Sequence, residues 1–165
     1  MNKIIPILFL LLSKPAFADP TFKASAGLGL GMAFTDKTEK AVPPSVKLDL
    51  GMIVPMSKRW VWYSAIGASV PMSAYSPSLR LVTGPGLKLS KSWSIGATIL
   101  YQLNPAYEEK SWSHILAISV APSVTITKEI SLAFVAGPGV LLSDEDPLWS
   151  IAFQPKISFR LPNLW

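Results

Sequence analysis

The sequence predicts an all-β protein: eight antiparallel strands, joined up and down, closing into a transmembrane β-barrel. Three observations predict it. Apolar residues recur at every second position in eight stretches bounded by turn residues, and helical periodicity is absent. The opposite face carries small residues and scattered cations rather than the mixed charge of a solvated surface. Aromatic residues on the apolar face gather near the ends of the stretches.

The bulk properties set the frame. A length of 165 residues is one domain. Half the residues are hydrophobic, 15% are charged, and the mean hydropathy of +0.38 leans towards a membrane environment. Residues 1–18 read as a secretory signal peptide: Lys3, the apolar run Ile4 to Leu12 interrupted by Pro6, then Ala16-Phe17-Ala18 as a small-x-small cleavage site. Nine residues are too few to cross about 30 Å of hydrocarbon as a helix, so cleavage is expected, leaving a barrel over 19–165. There is no cysteine, hence no disulfide, thiolate metal site or cysteine-linked lipid. The net charge of +5 falls to +3 without Lys3 and Lys14 (13 basic, 10 acidic). No basic run or aromatic platform remains for nucleic acid.

The strands are expected at Thr21–Phe34, Ser45–Ser57, Arg59–Met72, Ser78–Ser90, Ser92–Asn104, Trp112–Thr127, Glu129–Leu142 and Leu148–Leu161. The first sets Lys23, Ser25, Gly27, Gly29 and Gly31 on one face. The second carries Lys47 and Asp49 on the matching face. The third opens on Arg59 and Trp60. Arg80 and Lys88 fall on the inner parity of the fourth, with Pro85 outward. In the fifth, Ser92, Ser94, Gly96 and Thr98 oppose Trp93 and Tyr101. The sixth presents Trp112, His114, Leu116 and Ile118 outward, followed by Pro122. The seventh begins with Glu129 on the inner parity and places Pro138 outward. The eighth alternates most cleanly: Trp149, Ile151, Phe153, Pro155, Ile157, Phe159 and Leu161 against Ser150, Ala152, Gln154, Lys156, Ser158 and Arg160.

Connections alternate in length. "SKR" (57–59), "SKS" (90–92) and "TKE" (127–129) are tight; 35–44, 73–77, 105–111 and 143–147 are longer. "GPGLKLSKSWSIGA" (84–97) aligns with "APSVTITKEISLAF" (121–134), so the repeating unit is a hairpin. A secreted β-sandwich also has one apolar face. The small inner face, the paired aromatic belts (Trp60 and Trp93 by the tight turns; Tyr101, Trp112 and Trp149 by the longer loops) and strands reaching the about 9–11 residues of a tilted crossing favour the barrel.

These features together resemble the small eight-stranded outer-membrane barrels of Gram-negative bacteria, of the OmpA, OmpX and OmpW kind. The likeness covers the whole chain after residue 18 but is architectural, with no family-specific motif. It implies a place in the cell outer membrane among its lipids and lipopolysaccharide. It also implies a terminal strand read by the outer-membrane assembly machinery, carried here by Ile157, Phe159, Leu161 and Trp165. Pro162 and Asn163 depart from that pattern, an apolar or aromatic residue being expected at position 163, so the recognition segment is expected to be displaced inward.

Candidate chemistry is sparse. Some barrels of this kind are lipid A deacylases or palmitoyltransferases, which need histidine beside serine or carboxylate. The single histidine, His114, shares the outward face, and Leu116 occupies the serine position of the "H-x-S" pattern. A girdle role is therefore expected, with no catalytic residue. Seven of the ten acids fall in the longer loops: Asp36, Glu39, Glu108, Glu109, Asp144, Glu145 and Asp146. They suit either a divalent cation shared with lipopolysaccharide phosphates or plain solvation, and "DED" lacks the spacing of a dedicated calcium loop, so no metal site is expected.

The inner face is more informative. Parity puts Lys23, Lys47, Arg59, Arg80, Lys88, Lys156 and Arg160 inside against Asp49 and Glu129. Such charges must be paired or wet, giving either a structural plug or a narrow anion-leaning pore, with Arg59, Lys88 and Arg160 placed to snorkel out. Pro85, Pro122, Pro138 and Pro155 lie outward within strands, where they mark either bulges or a weakened seam in strands six to eight that admits lipids or hydrophobic solutes sideways. The expected role is non-enzymatic, without cofactor: membrane structure or limited solute passage. The alternatives are a lipid-modifying enzyme and a lateral-entry carrier. Adhesion is disfavoured by short loops.

Overall fold

The computed structural model describes residues 19–34, 39–73, 77–105, 113–142 and 148–162. Its strands are β1 (Thr21–Phe34), β2 (Glu39–Pro55), β3 (Trp60–Pro71), β4 (Ser78–Lys88), β5 (Trp93–Asn104), β6 (Ser113–Thr125), β7 (Ile130–Leu142) and β8 (Leu148–Arg160). Each pairs antiparallel with its sequence neighbours, and β1 also pairs with β8, closing the sheet. Closure removes the free edges that an open sheet would expose.

The three tight turns share one cause. The hydroxyl of Ser57 accepts from the amides of Arg59 and Trp60 at 3.3 and 3.1 Å. Ser90 does the same for Ser92 and Trp93, and Thr127 for Glu129 and Ile130. A side-chain oxygen thus occupies amides that no ladder can reach, which is why Ser or Thr recurs there.

β2 starts earlier than the sequence predicts, taking in residues 39–44. A Pro43-Pro44 pair cannot continue a ladder, and the chain solves this with a bulge: Gly29 faces Ser45 but Gly31 faces Val42, leaving an extra residue on β2. This is where the register shifts. At Pro85, Pro122, Pro138 and Pro155 it does not, so the bulges expected there are corrected: the register runs through unchanged while pairing lapses. It lapses between β4 and β5 at Pro85, between β6 and β7 at Pro122 and Pro138, and between β8 and β1 at Pro155. Each proline still pairs on its other side, with Trp62, Ile95, Ile151 and Phe134 respectively. In an antiparallel ladder a residue sends its N–H and C=O to the same neighbour, so the missing donors fall at the lapses.

The outer surface is a continuous apolar band. Leu48, Leu50, Ile66, Ile99, Ile118 and Phe134 stand fully outward, Leu50 at 61% exposure. A polar outward group is satisfied locally: Thr83 takes the indole N–H of Trp62 at 3.0 Å and meets the Ser64 hydroxyl at 3.1 Å. Most of the large apolar side chains stand outside, and the interior mixes small and charged residues with a few larger ones such as Tyr63, Val82 and Leu100.

Candidate functional site

The interior is the site. Cross-strand register sets Ser25, Asp49, Gly67 and Arg80 side by side on β1, β2, β3 and β4. Gly67 makes the central contact sterically possible. A Cβ there would strike the Asp49 carboxylate and the Leu48 carbonyl, so its absence lets Asp49 and Arg80 meet across β3. Arg80 Nη1 donates to Asp49 Oδ1 at 3.1 Å, and Lys156 Nζ donates to Asp49 Oδ2 at 2.9 Å. Asp49 is 3% exposed and Arg80 2%.

Around this three-charge centre sit two residues outside the expected charge network, with Gln154 placed only by its inward parity. Tyr63 accepts from Lys156 Nζ at 3.1 Å and lies under that ammonium, 5.3 Å from the ring centre. Gln154 accepts from Arg80 Nη2 at 3.4 Å, in space that Gly27 leaves free. An inner-parity glycine opposite a long polar side chain is the signal that could have found them.

The expected interior charges divide. Lys23, Lys47, Arg80 and Lys156 line the cavity, with Asp49 buried behind it. Lys23 Nζ donates to Ser131 at 3.2 Å. Arg59, Lys88 and Arg160 are exposed at the tight-turn end. Glu129 is corrected outright: it belongs to the 127–129 turn, exposed, with its carboxylate accepting from the Thr127 hydroxyl at 2.9 Å. Long side chains that close to water reach it at little cost. The interior therefore holds four cations against one carboxylate among the described residues.

The wall of β5, β6 and β7 is different. Its inner face mixes small residues with Leu100, Ile115, Val135 and Leu141, and its hydroxyls satisfy one another, Ser94 with Ser123 at 2.7 Å and Thr98 with Ser119 at 3.2 Å. Between the two walls runs a cavity of about 410 Å³, lined from Lys23 and Ser131 near the turns to Pro43 and Leu148 near the loops.

Outside the lumen, Trp60 and Trp93 stand exposed beside the turns, and Tyr101 and Trp149 beside the loops. His114 faces outward, its Nδ1 within 2.7 Å of the Tyr101 hydroxyl and its ring stacked on that tyrosine. Phe159 is outward on β8, and Ile157 and Leu161 beside it are half-buried. Trp112, Trp165, Asn163 and the acidic loop residues lie outside the described residues, apart from Glu39, whose backbone opens β2.

No family model matches the chain, and no curated protein matches it in sequence. Solved structures do match in fold. Ail, the attachment invasion locus protein of Yersinia pestis, is similar with a TM-score of 0.55 at 11% identity, covering 87% of this chain and 100% of that one. The same protein in complex with the heparin analogue sucrose octasulfate gives 0.50 at 12% identity and equal coverage. Neisserial surface protein A gives 0.49 at 9%, again with equal coverage. At such identity the likeness is one of fold, and the fold is the closed eight-stranded antiparallel barrel of small outer-membrane proteins.

Proposed function

We propose that the chain is an integral outer-membrane barrel with a structural role and a narrow, anion-leaning passage through its interior. The apolar band between two aromatic belts supports the membrane location, because exposing such a band to water costs about 25 cal/mol per Å². The observation that carries the passage is the charge balance: four cations and one carboxylate around a cavity reaching from the turn end to the loop end. Cationic walls of low dielectric concentrate anions and repel cations. The cluster of Asp49, Arg80 and Lys156 narrows one side, so only small ions are expected to pass. Single-channel recording of the refolded protein in planar bilayers tests this. A reversal potential displaced towards the chloride value in a salt gradient is expected; a silent bilayer or a cation preference would reject it.

A second reading has its own observation. All four lapses in pairing contain an outward proline, and an outward groove of about 730 Å³ runs beside two of them, between Trp93, Pro122, Phe134 and Pro155. These weakened seams favour sideways entry of a lipid or hydrophobic solute, and the β6–β7 seam carries two prolines. Hydrogen exchange at β6–β7 faster than at β2–β3 is the expected signature.

A further inference from the structure

We propose that the lumen binds one small amphipathic anion, with its head on Arg80 and the neighbouring lysines and a short aliphatic tail along β5, β6 and β7. The proposal rests on the membrane-inserted barrel of the passage reading and names what that passage holds.

The cluster has too many donors. Asp49 is its one carboxylate, and both oxygens are already taken, by Arg80 and Lys156. Arg80 Nη2 reaches only the long contact to Gln154 at 3.4 Å. Its Nε has no partner at all and is the one buried side-chain nitrogen or oxygen so left among the described residues. A buried N–H without an acceptor forfeits its hydration with nothing in return. Arg80, Lys47 and Lys156 all border the cavity, so a ligand oxygen there would gain a guanidinium and two ammonium groups.

The facing wall has the opposite character. Leu100, Ala117, Ala133 and Val135 offer methyl groups, and the hydroxyls among them are paired with each other rather than turned to a ligand. An inorganic anion would satisfy the head and leave this wall bare. A neutral alkyl compound would satisfy the wall and leave Arg80 Nε unmatched. A carboxylate or phosphate ester on a short alkyl chain does both, and about 410 Å³ falls within the range of small-ligand sites.

The test is calorimetric titration of the full chain refolded into phosphatidylcholine nanodiscs, with empty nanodiscs as the partition blank. Octanoate, acetate and 1-octanol are compared. Octanoate is expected to bind saturably at one per chain, at least about tenfold tighter than either of the others. Arg80→Gln removes the head site but also disturbs a buried pair. Ala117→Phe therefore provides the second variant, filling the tail wall without touching a charge. It is expected to keep heat-dependent gel mobility and to lose octanoate affinity by about tenfold. Octanol binding as well as octanoate means mere partitioning, acetate binding as well means a bare anion site, and an unaffected Ala117→Phe means the tail lies elsewhere; each overturns the proposal. Conductance separates the two readings. An anion-selective channel indifferent to octanoate sinks this site alone, and a silent bilayer with saturable octanoate binding sinks the passage alone.

Discussion

The two sides of the barrel interior are built on different physics. The side of β1 to β4 with β8 holds Asp49, Arg80, Lys156, Tyr63 and Gln154 in one hydrogen-bonded cluster, and the β2–β3 and β3–β4 ladders are unbroken. The side of β5 to β7 holds small and aliphatic residues, isolated hydroxyl pairs and, between β6 and β7, the ladder with the most lapses. The Asp49–Arg80 pair sits where the wall is continuous, across β2, β3 and β4, while the β8–β1 ladder beside Lys156 lapses once, at Pro155. A buried ion cluster needs fixed geometry, since a misplaced partner leaves an uncompensated charge. A wall of small and aliphatic residues without an ion pair holds no charge in place, so it can accept proline-weakened seams.

This contrast holds only if each strand's inner and outer faces are assigned correctly, and the largest effect tests that assignment. Phe159→Asp puts a carboxylate on the outward face of β8, in the strand that closes the barrel against β1. Complete loss of the folded, heat-modifiable band on gels is expected. Ser158→Asp, one residue away on the inner face, is expected to assemble. Equal behaviour would dissolve the distinction between the two faces.

Asp49→Asn strikes the charged side directly. It strands Arg80 and Lys156 without their shared anion, and breaking a buried pair costs about 3–5 kcal/mol. The denaturant midpoint of the refolded protein is expected to fall accordingly, and any conductance to become still more anion-selective. An unchanged midpoint together with unchanged selectivity would mean that the cluster stabilises nothing and steers nothing.

Pro138→Ala addresses the other side by restoring an N–H where β7 lapses from β6. One added ladder hydrogen bond is worth about 1 kcal/mol, so exchange of β6 amides opposite it is expected to slow about fivefold while β2–β3 amides stay as they were. Uniform slowing everywhere would point to global stability and not to a seam.

How much of this division the sequence reveals depends on which signals are local. Period-two alternation and the "SKR", "SKS" and "TKE" turns are local, and strand order, turns and outward faces all derive from them. Depth within the strand is nearly local too: Asp49 and Arg80 stand at similar distances from their turns, which makes the pair legible. The role of Gly67 between them is not, because it depends on which strand lies in the middle. Glu129 is misjudged because parity alone cannot tell where a strand stops and a turn begins. The prolines mislead for another reason. Proline within a strand signals lost pairing, but whether the chain answers by shifting register, as at Pro43-Pro44, or by leaving a lapse, as at Pro138, is set by the neighbouring strand.

The smallest expected effect separates the two sides most sharply. Ser94 and Ser123 share one hydrogen bond at 2.7 Å on the small-residue wall. Ser94→Ala alone leaves the Ser123 hydroxyl beside the Ser94 backbone carbonyl, at 3.5 Å, as its remaining partner. A cost of about 1 kcal/mol is expected, the ordinary net worth of such a bond. Replacing both serines by alanine removes donor and acceptor together and is expected to cost no more than the single change. The charged side cannot behave this way, because Asp49 serves two cations at once and no single companion change neutralises both. Double-mutant denaturation therefore reads the contrast directly. A double serine variant clearly less stable than the single would show that the small wall, too, is a cooperative network, and the division of the lumen into two regimes would not stand.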